Sequence, residues 1–128
     1  MSLAILVSGN DTGIGKTVAS AFLAHRLSSV GSTCYVKPIE TGSTEPLDAT
    51  RVNVRSESLE VHTLLNFRQP LGPVEAAKVE GKELDFSKLV SRTRSCSEHS
   101  ENLVIEGAGG LATPIDEKGL DWLDFAKN

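Results

Sequence analysis

Gly9-Asn10-Asp11-Thr12-Gly13-Ile14-Gly15-Lys16-Thr17 follows the apolar run Ala4-Ile5-Leu6-Val7 and precedes a stretch with helical spacing. Strand, glycine-rich turn and helix, in that order, are what a phosphate-binding loop requires. Glycines let the backbone curl so that several N–H groups face phosphate oxygens. Lys16 is placed to reach the outer phosphates and the Thr17 hydroxyl to hold Mg²⁺. The positive end of the following helix adds to the anion field. The interval from Gly9 to Gly15 is one residue longer than in the usual G-x-x-x-x-G-K-S/T pattern. The bland alternative is a glycine turn with a chance Gly-Lys-Thr, and the flanking strand and helix weigh against it.

Outward from the loop, Ala4–Ser8 reads as a short, buried parallel strand. Residues 16–29 read as a helix with Val18, Ala21, Phe22, Ala24 and Leu27 as its apolar positions, stopped by Gly31. Thr33–Lys37 reads as a second strand ended by Pro38. Strand, helix, strand gives a right-handed βαβ unit by default. Asp48–Leu65 is polar with scattered apolar residues and is expected to form one irregular helix. Pro73 suits a helix start, so Val74–Val79 is expected to be helical and to end at Gly81. Asp85–Ser97 is a further helix with Phe86, Leu89 and Val90 on one face, and Leu103–Ile105 is the third strand. Leu120–Lys127 reads as an amphipathic helix led by Leu120, Leu123 and Phe125. The fold class is α/β: a P-loop NTPase-like parallel sheet flanked by helices. Residues 1–128 form one nucleotide-binding domain, short for a doubly wound sheet, with its last strand as a bare edge.

Composition narrows the function. Thirteen basic against seventeen acidic residues give a net charge of −4, and no basic stripe is evident, which argues against a nucleic-acid partner. Cys34 and Cys96 are too few for a disulfide framework or a zinc site. His25, His62 and His99 are widely separated and read as structural or solvent-facing. No apolar run approaches membrane-span length, and Met1-Ser2-Leu3 does not open a signal peptide. These features point to a cytoplasmic protein with reduced thiols.

In an open α/β sheet, ligands sit at the carboxyl ends of the strands. The first strand there ends in the phosphate loop, the second in Lys37 and the third in Glu106. Backbone donors, a cation and a carboxylate thus converge on one crevice. A carboxylate across from a P-loop threonine suits Mg²⁺, a hard ion that takes oxygen ligands.

Four stretches carry a resemblance: Gly9–Thr17, Lys37-Pro38-Ile39-Glu40-Thr41-Gly42, Glu106-Gly107-Ala108-Gly109-Gly110 and Gln69–Gly81. Together they closely resemble dethiobiotin synthetase, whose loop carries the same extra residue. The resemblance implies an ATP-dependent reaction. An amine of diaminopelargonic acid captures CO2 as a carbamate, ATP phosphorylates it, and the second amine closes the ring of dethiobiotin, the biotin precursor. It implies Lys37 as the catalytic residue, holding the carbamate and the transferring phosphoryl group. ATP is expected on Gly13, Ile14, Gly15, Lys16, Thr17, Val18, Asp48, Glu106, Gly107, Ala108 and Gly109. Thr17, Asp48 and Glu106 are expected to hold Mg²⁺, and Thr12, Lys37 and Thr41 to meet the substrate. The family is about twice this length and homodimeric, with its substrate at the dimer interface, so more chain is expected beyond these residues. The family often has Ser-Pro-His where Gly72-Pro73-Val74 stands here. Rival readings are a partition or septum-positioning ATPase, a cobyrinate-type amidotransferase synthetase and a non-catalytic nucleotide binder. The first would need a lysine at Asp11, and the Lys37–Gly42 segment argues against the second.

Overall fold

Four parallel strands, flanked by helices, make the sheet in the computed structural model, which describes residues 3–11, 13–52 and 57–128. In chain order the elements are β1 (Leu3–Val7), α1 (Lys16–Ser28), β2 (Thr33–Thr41), α2 (Leu47–Val52), β3 (Leu59–Phe67), α3 (Pro73–Glu80), α4 (Phe86–Cys96), β4 (Asn102–Glu106) and α5 (Trp122–Ala126). The strands lie in the order β1-β4-β2-β3. β4 therefore fills the gap that the β1–α1–β2 crossover leaves, with Val7 level with Glu106 and Val36 level with Ile105.

Several expectations meet a different outcome. Residues 48–65 do not form one helix: α2 occupies Leu47–Val52, and β3 follows over Leu59–Phe67. Leu59-Glu60-Val61-His62-Thr63-Leu64-Leu65 mixes polar and apolar residues without clean alternation, so a period count misses the strand. Pairing along β2 from Thr33 to Thr41 decides it. β2 does not stop at Lys37, because the backbone runs on through Pro38. The β4 pairing stops at Val36, and the β3 register passes from Lys37 to Ile39, so the ladder tolerates a residue without an N–H there.

Among the described residues β1 lies at the edge of the sheet, with Leu3 and Ala4 exposed rather than buried. The last strand, β4, lies inside the sheet, so the bare edges among the described residues belong to β1 and β3. In α1 the helical spacing holds, but Val18 and Phe22 are 75% and 66% exposed. The face that packs is Ala21, Ala24 and Leu27, against Tyr35 and Val104. α5 likewise turns Trp122 and Phe125 inward and leaves Leu123 exposed.

Other elements follow their sequence signals. Pro73 opens α3 and Gly81 closes it with φ +64. Asp85 caps α4 by accepting from the Lys88 N–H at 3.0 Å, and Leu89 with Phe86 and Val90 joins the main core. That core gathers Ile39, Phe67, Leu89, Ile115, Trp122 and Phe125 from strands, helices and the loop after β4.

Candidate functional site

The carboxyl edge of the sheet is where the sequence motifs meet. β1 ends at Val7, and the chain enters the glycine loop. Gly15, at φ +102, is the residue before α1, a conformation that costs a side-chain-bearing residue strain. No side chain caps this helix, which leaves its first-turn N–H groups to serve an anion. Ile14 turns its side chain back over Gly9, where a Cβ would come within 2.1 Å of its Cδ1. The Lys16 ammonium donates to the Asp11 carbonyl. Burial and the neighbouring Lys37 hold its pKa below the usual lysine range, partly opposed by Glu106, Asp11 and Asp48. An arriving polyanion would favour the charged ammonium and so oppose both effects.

Glu106, at the end of β4, is fully buried. Its Oε1 accepts from the Thr17 hydroxyl at 2.6 Å and lies 3.6 Å from Lys37 Nζ. Its Oε2 accepts from the Tyr35 hydroxyl. Burial, then the Glu106 carboxylate, push the Tyr35 phenol far above its ordinary pKa, so it stays protonated and donates. Lys37, 6% exposed, also pairs with Asp48 Oδ2, while Asp48 Oδ1 meets Arg51 at 3.3 Å. One ammonium thus lies between two carboxylates. The oxygens of Thr17, Asp48 and Glu106 lie close together around that ammonium. A hard divalent cation fits that donor set.

The loop after β4 is tied to the phosphate loop. The Gly107 N–H donates to the Val7 carbonyl at 3.0 Å, and the Leu111 N–H to the Gly9 carbonyl at 2.7 Å. Gly110 passes so close to Asn10 that a Cβ would lie 3.1 Å from its carbonyl oxygen. Trp122 fixes the loop from below, its Nε1 donating to the Ala108 carbonyl at 2.8 Å.

Most of the expected residues line one cavity of about 420 Å³. Gly13, Gly15, Lys16, Thr17 and Val18 come from the loop and α1, Lys37 and Thr41 from β2, Asp48 from α2, and Glu106, Gly107, Ala108 and Gly109 from β4 and its loop. Ile14 is adjacent in sequence but does not line it, and Thr12 lies outside the described residues. A larger, more apolar cavity of about 1280 Å³ shares Thr41, Ala108 and Gly109 and continues past Asn10, Leu71 and Pro114. Thr41 stands between the two.

Two residues of the site carry no signal in spacing alone. Tyr35 is one. Glu40 is the other: its Oε1 accepts from the Asp48 N–H at 2.9 Å, bracing the first turn of α2, and its Oε2 is buried without a partner. Burial raises its pKa. On the opposite sheet face from Tyr35, Cys34, Glu60 and His62 offer ligand atoms within 4.8 Å of one another, a grouping that cross-strand register makes and sequence spacing hides.

Sheet, loop and crevice define a P-loop nucleotide-binding protein of the NTPase type. A family model described as an AAA domain matches residues 4–128, and the chain belongs to that family. It is similar to proteins named ATP-dependent dethiobiotin synthetase. The one from Methanococcus vannielii is 41% identical over 118 residues, covering 91% of this chain and 56% of that protein. That from an Anaeromyxobacter species is 35% identical over 120 residues, covering 89% and 54%. That from a Hydrogenobaculum species is 34% identical over 125 residues, covering 95% and 56%. The chain spans about half the length of these curated relatives. Among the described residues no helix is long and apolar enough to cross a membrane.

Proposed function

We propose that this chain carries the nucleotide and carbamate machinery of an ATP-dependent dethiobiotin synthetase. In this reading CO2 adds to one amine of diaminopelargonic acid, the carbamate oxygen attacks the γ-phosphorus of ATP with loss of ADP, and the second amine expels phosphate as the ring closes. The observation that supports it is Lys37, an almost buried ammonium between Asp48 and Glu106 at the rim of the phosphate loop. A cation there is preorganised for a carbamate oxygen and for charge developing on the transferred phosphoryl group. Lys16 and the first-turn N–H groups of α1 hold the polyphosphate. Thr17, Asp48 and Glu106 would hold Mg²⁺, which would supply charge neutralisation at the phosphates.

Thr41 bonds the substrate in this reading, and the larger cavity beyond it receives the aliphatic chain. Thr12, the third residue assigned to substrate, belongs to the same proposal. The whole protein is proposed to be a cytoplasmic homodimer with one domain per subunit, without nucleic-acid or membrane partners. Asp11 stands where a partition ATPase would need a lysine, which favours the synthetase reading over that rival.

The test is Lys37→Gln, assayed with diaminopelargonic acid, bicarbonate and Mg²⁺-ATP in the protein that carries this sequence. Dethiobiotin formation is expected to fall about a hundredfold or more, with ATP affinity nearly unchanged. Wild-type turnover in the variant rules out the role. A wild-type protein that binds ATP without producing dethiobiotin returns the reading to a non-catalytic nucleotide binder.

A further inference from the structure

Glu106 is the most completely enclosed charged group of the crevice, with no exposed surface. Burying a carboxylate is costly unless donors reach its oxygens. Oε1 meets Thr17 and Lys37, the groups that face the nucleotide cavity. Oε2 points the other way, to the Tyr35 hydroxyl. Tyr35 sits on β2 level with Val104, two residues before Glu106 on the neighbouring strand. Its ring is fully buried among Ala24, Val52, Leu59 and Val104. Four elements therefore hold the phenol in one place, and it bonds the cation-facing carboxylate from behind.

We propose that Tyr35 is a positioning residue for the Mg²⁺-nucleotide site: its hydroxyl fixes the Glu106 carboxylate through Oε2 so that Oε1 is presented to Thr17 and the cavity. The proposal rests on the nucleotide-binding reading of this crevice. The phenol suits the task because it is neutral. An ammonium or guanidinium behind Oε2 would cancel the charge that a cation needs, whereas a phenol satisfies the oxygen and leaves the charge in place. Groups that orient a metal's ligands typically govern its affinity by about ten- to a hundredfold. Tyr35 thus acts on the cation and, through it, on the nucleotide, without touching either.

The experiment is calorimetric titration of ATP into wild type and Tyr35→Phe, once with excess Mg²⁺ and once with EDTA. Phenylalanine keeps the ring and its packing and removes the donor. Mg²⁺-ATP affinity is expected to fall about tenfold, with metal-free ATP affinity within about twofold of wild type. Placing Tyr35→Phe in a Glu106→Gln background is expected to add no further loss. Equal loss in both titrations, or no loss in either, overturns the proposal. A wild type that binds no ATP at all removes the underlying reading and the proposal with it, whereas Mg²⁺-ATP binding equal in wild type and variant removes the proposal alone. Tyr35 is the only tyrosine in this sequence, which supplies a second measurement should the variant fail to fold. With 3-fluorotyrosine incorporated at Tyr35, its fluorine resonance is expected to move when Mg²⁺ joins bound ATP. A resonance indifferent to Mg²⁺ overturns the role.

Discussion

In the proposed reading Lys16 and Glu106 divide the nucleotide between them: one faces phosphate, the other the cation. Their substitutions should therefore separate in a way a general loss of structure would not. Lys16→Ala removes charge-assisted contacts to phosphate, each worth about 1.5–3 kcal/mol. ATP affinity should fall at least tenfold with or without Mg²⁺. Glu106→Gln keeps the side-chain volume and an acceptor for Thr17 but loses the charge. Affinity should fall about tenfold with Mg²⁺ and little without it. Calorimetry on folded variants reads both, and unchanged Mg²⁺-ATP affinity in both would sink the assignment. The placement of both at the crevice was legible in the sequence, Lys16 from the loop pattern and Glu106 from its place after an apolar strand. Asp48 was reached only through family likeness, and its approach to Lys37 depends on a turn of helix that Glu40 braces.

At the scale of elements, short helices depend on their ends. α5 has five residues, fewer than an isolated helix needs. Asp121 accepts from the Leu123 and Asp124 N–H groups at 2.9 and 3.1 Å, and the Asp124 side chain accepts from the Asp121 N–H at 3.1 Å. This reciprocal cap is worth about 1 kcal/mol. Asp121→Ala should lower the urea midpoint by the corresponding amount with an unchanged slope, and a midpoint equal to wild type would show that α5 is held by Trp122 and Phe125 alone. Elements that punctuate themselves were readable in advance: Pro73 to Gly81, and Asp85 before Phe86. β3 was not, because its residues join the sheet through pairing with β2 instead of through a pattern of their own.

For the molecule as a whole, Trp122 links stability to the site. It is fully buried in the main core and bonds the carbonyl of Ala108, two residues after Glu106. Trp122→Ala should cost about 3–5 kcal/mol, a large share of the roughly 5–15 kcal/mol that holds a domain folded. Trp122→Phe should cost less, retaining most packing while leaving the Ala108 carbonyl without its donor. Trp122 is the only tryptophan, so melts of these variants are followed by circular dichroism. A Trp122→Ala melt matching wild type would mean that this core does not carry the fold.

The glycine loop, the strand before it and the helix after it follow from local sequence, because positive-φ glycines and a Gly-Lys-Thr boundary are properties of a few consecutive residues. The convergence of Lys37 and Glu106 on that loop follows from a general rule of parallel sheets. Strand order is another matter. That β4 lies between β1 and β2, and that Val18 and Phe22 face outward, are decided by which surfaces find partners. Tyr35 belongs with these. Nothing in its neighbourhood of sequence distinguishes it from a core aromatic, and only the register of β2 against β4 brings its hydroxyl to a carboxylate 71 residues away. Local sequence specifies conformations, whereas contacts between distant residues depend on how the chain closes on itself.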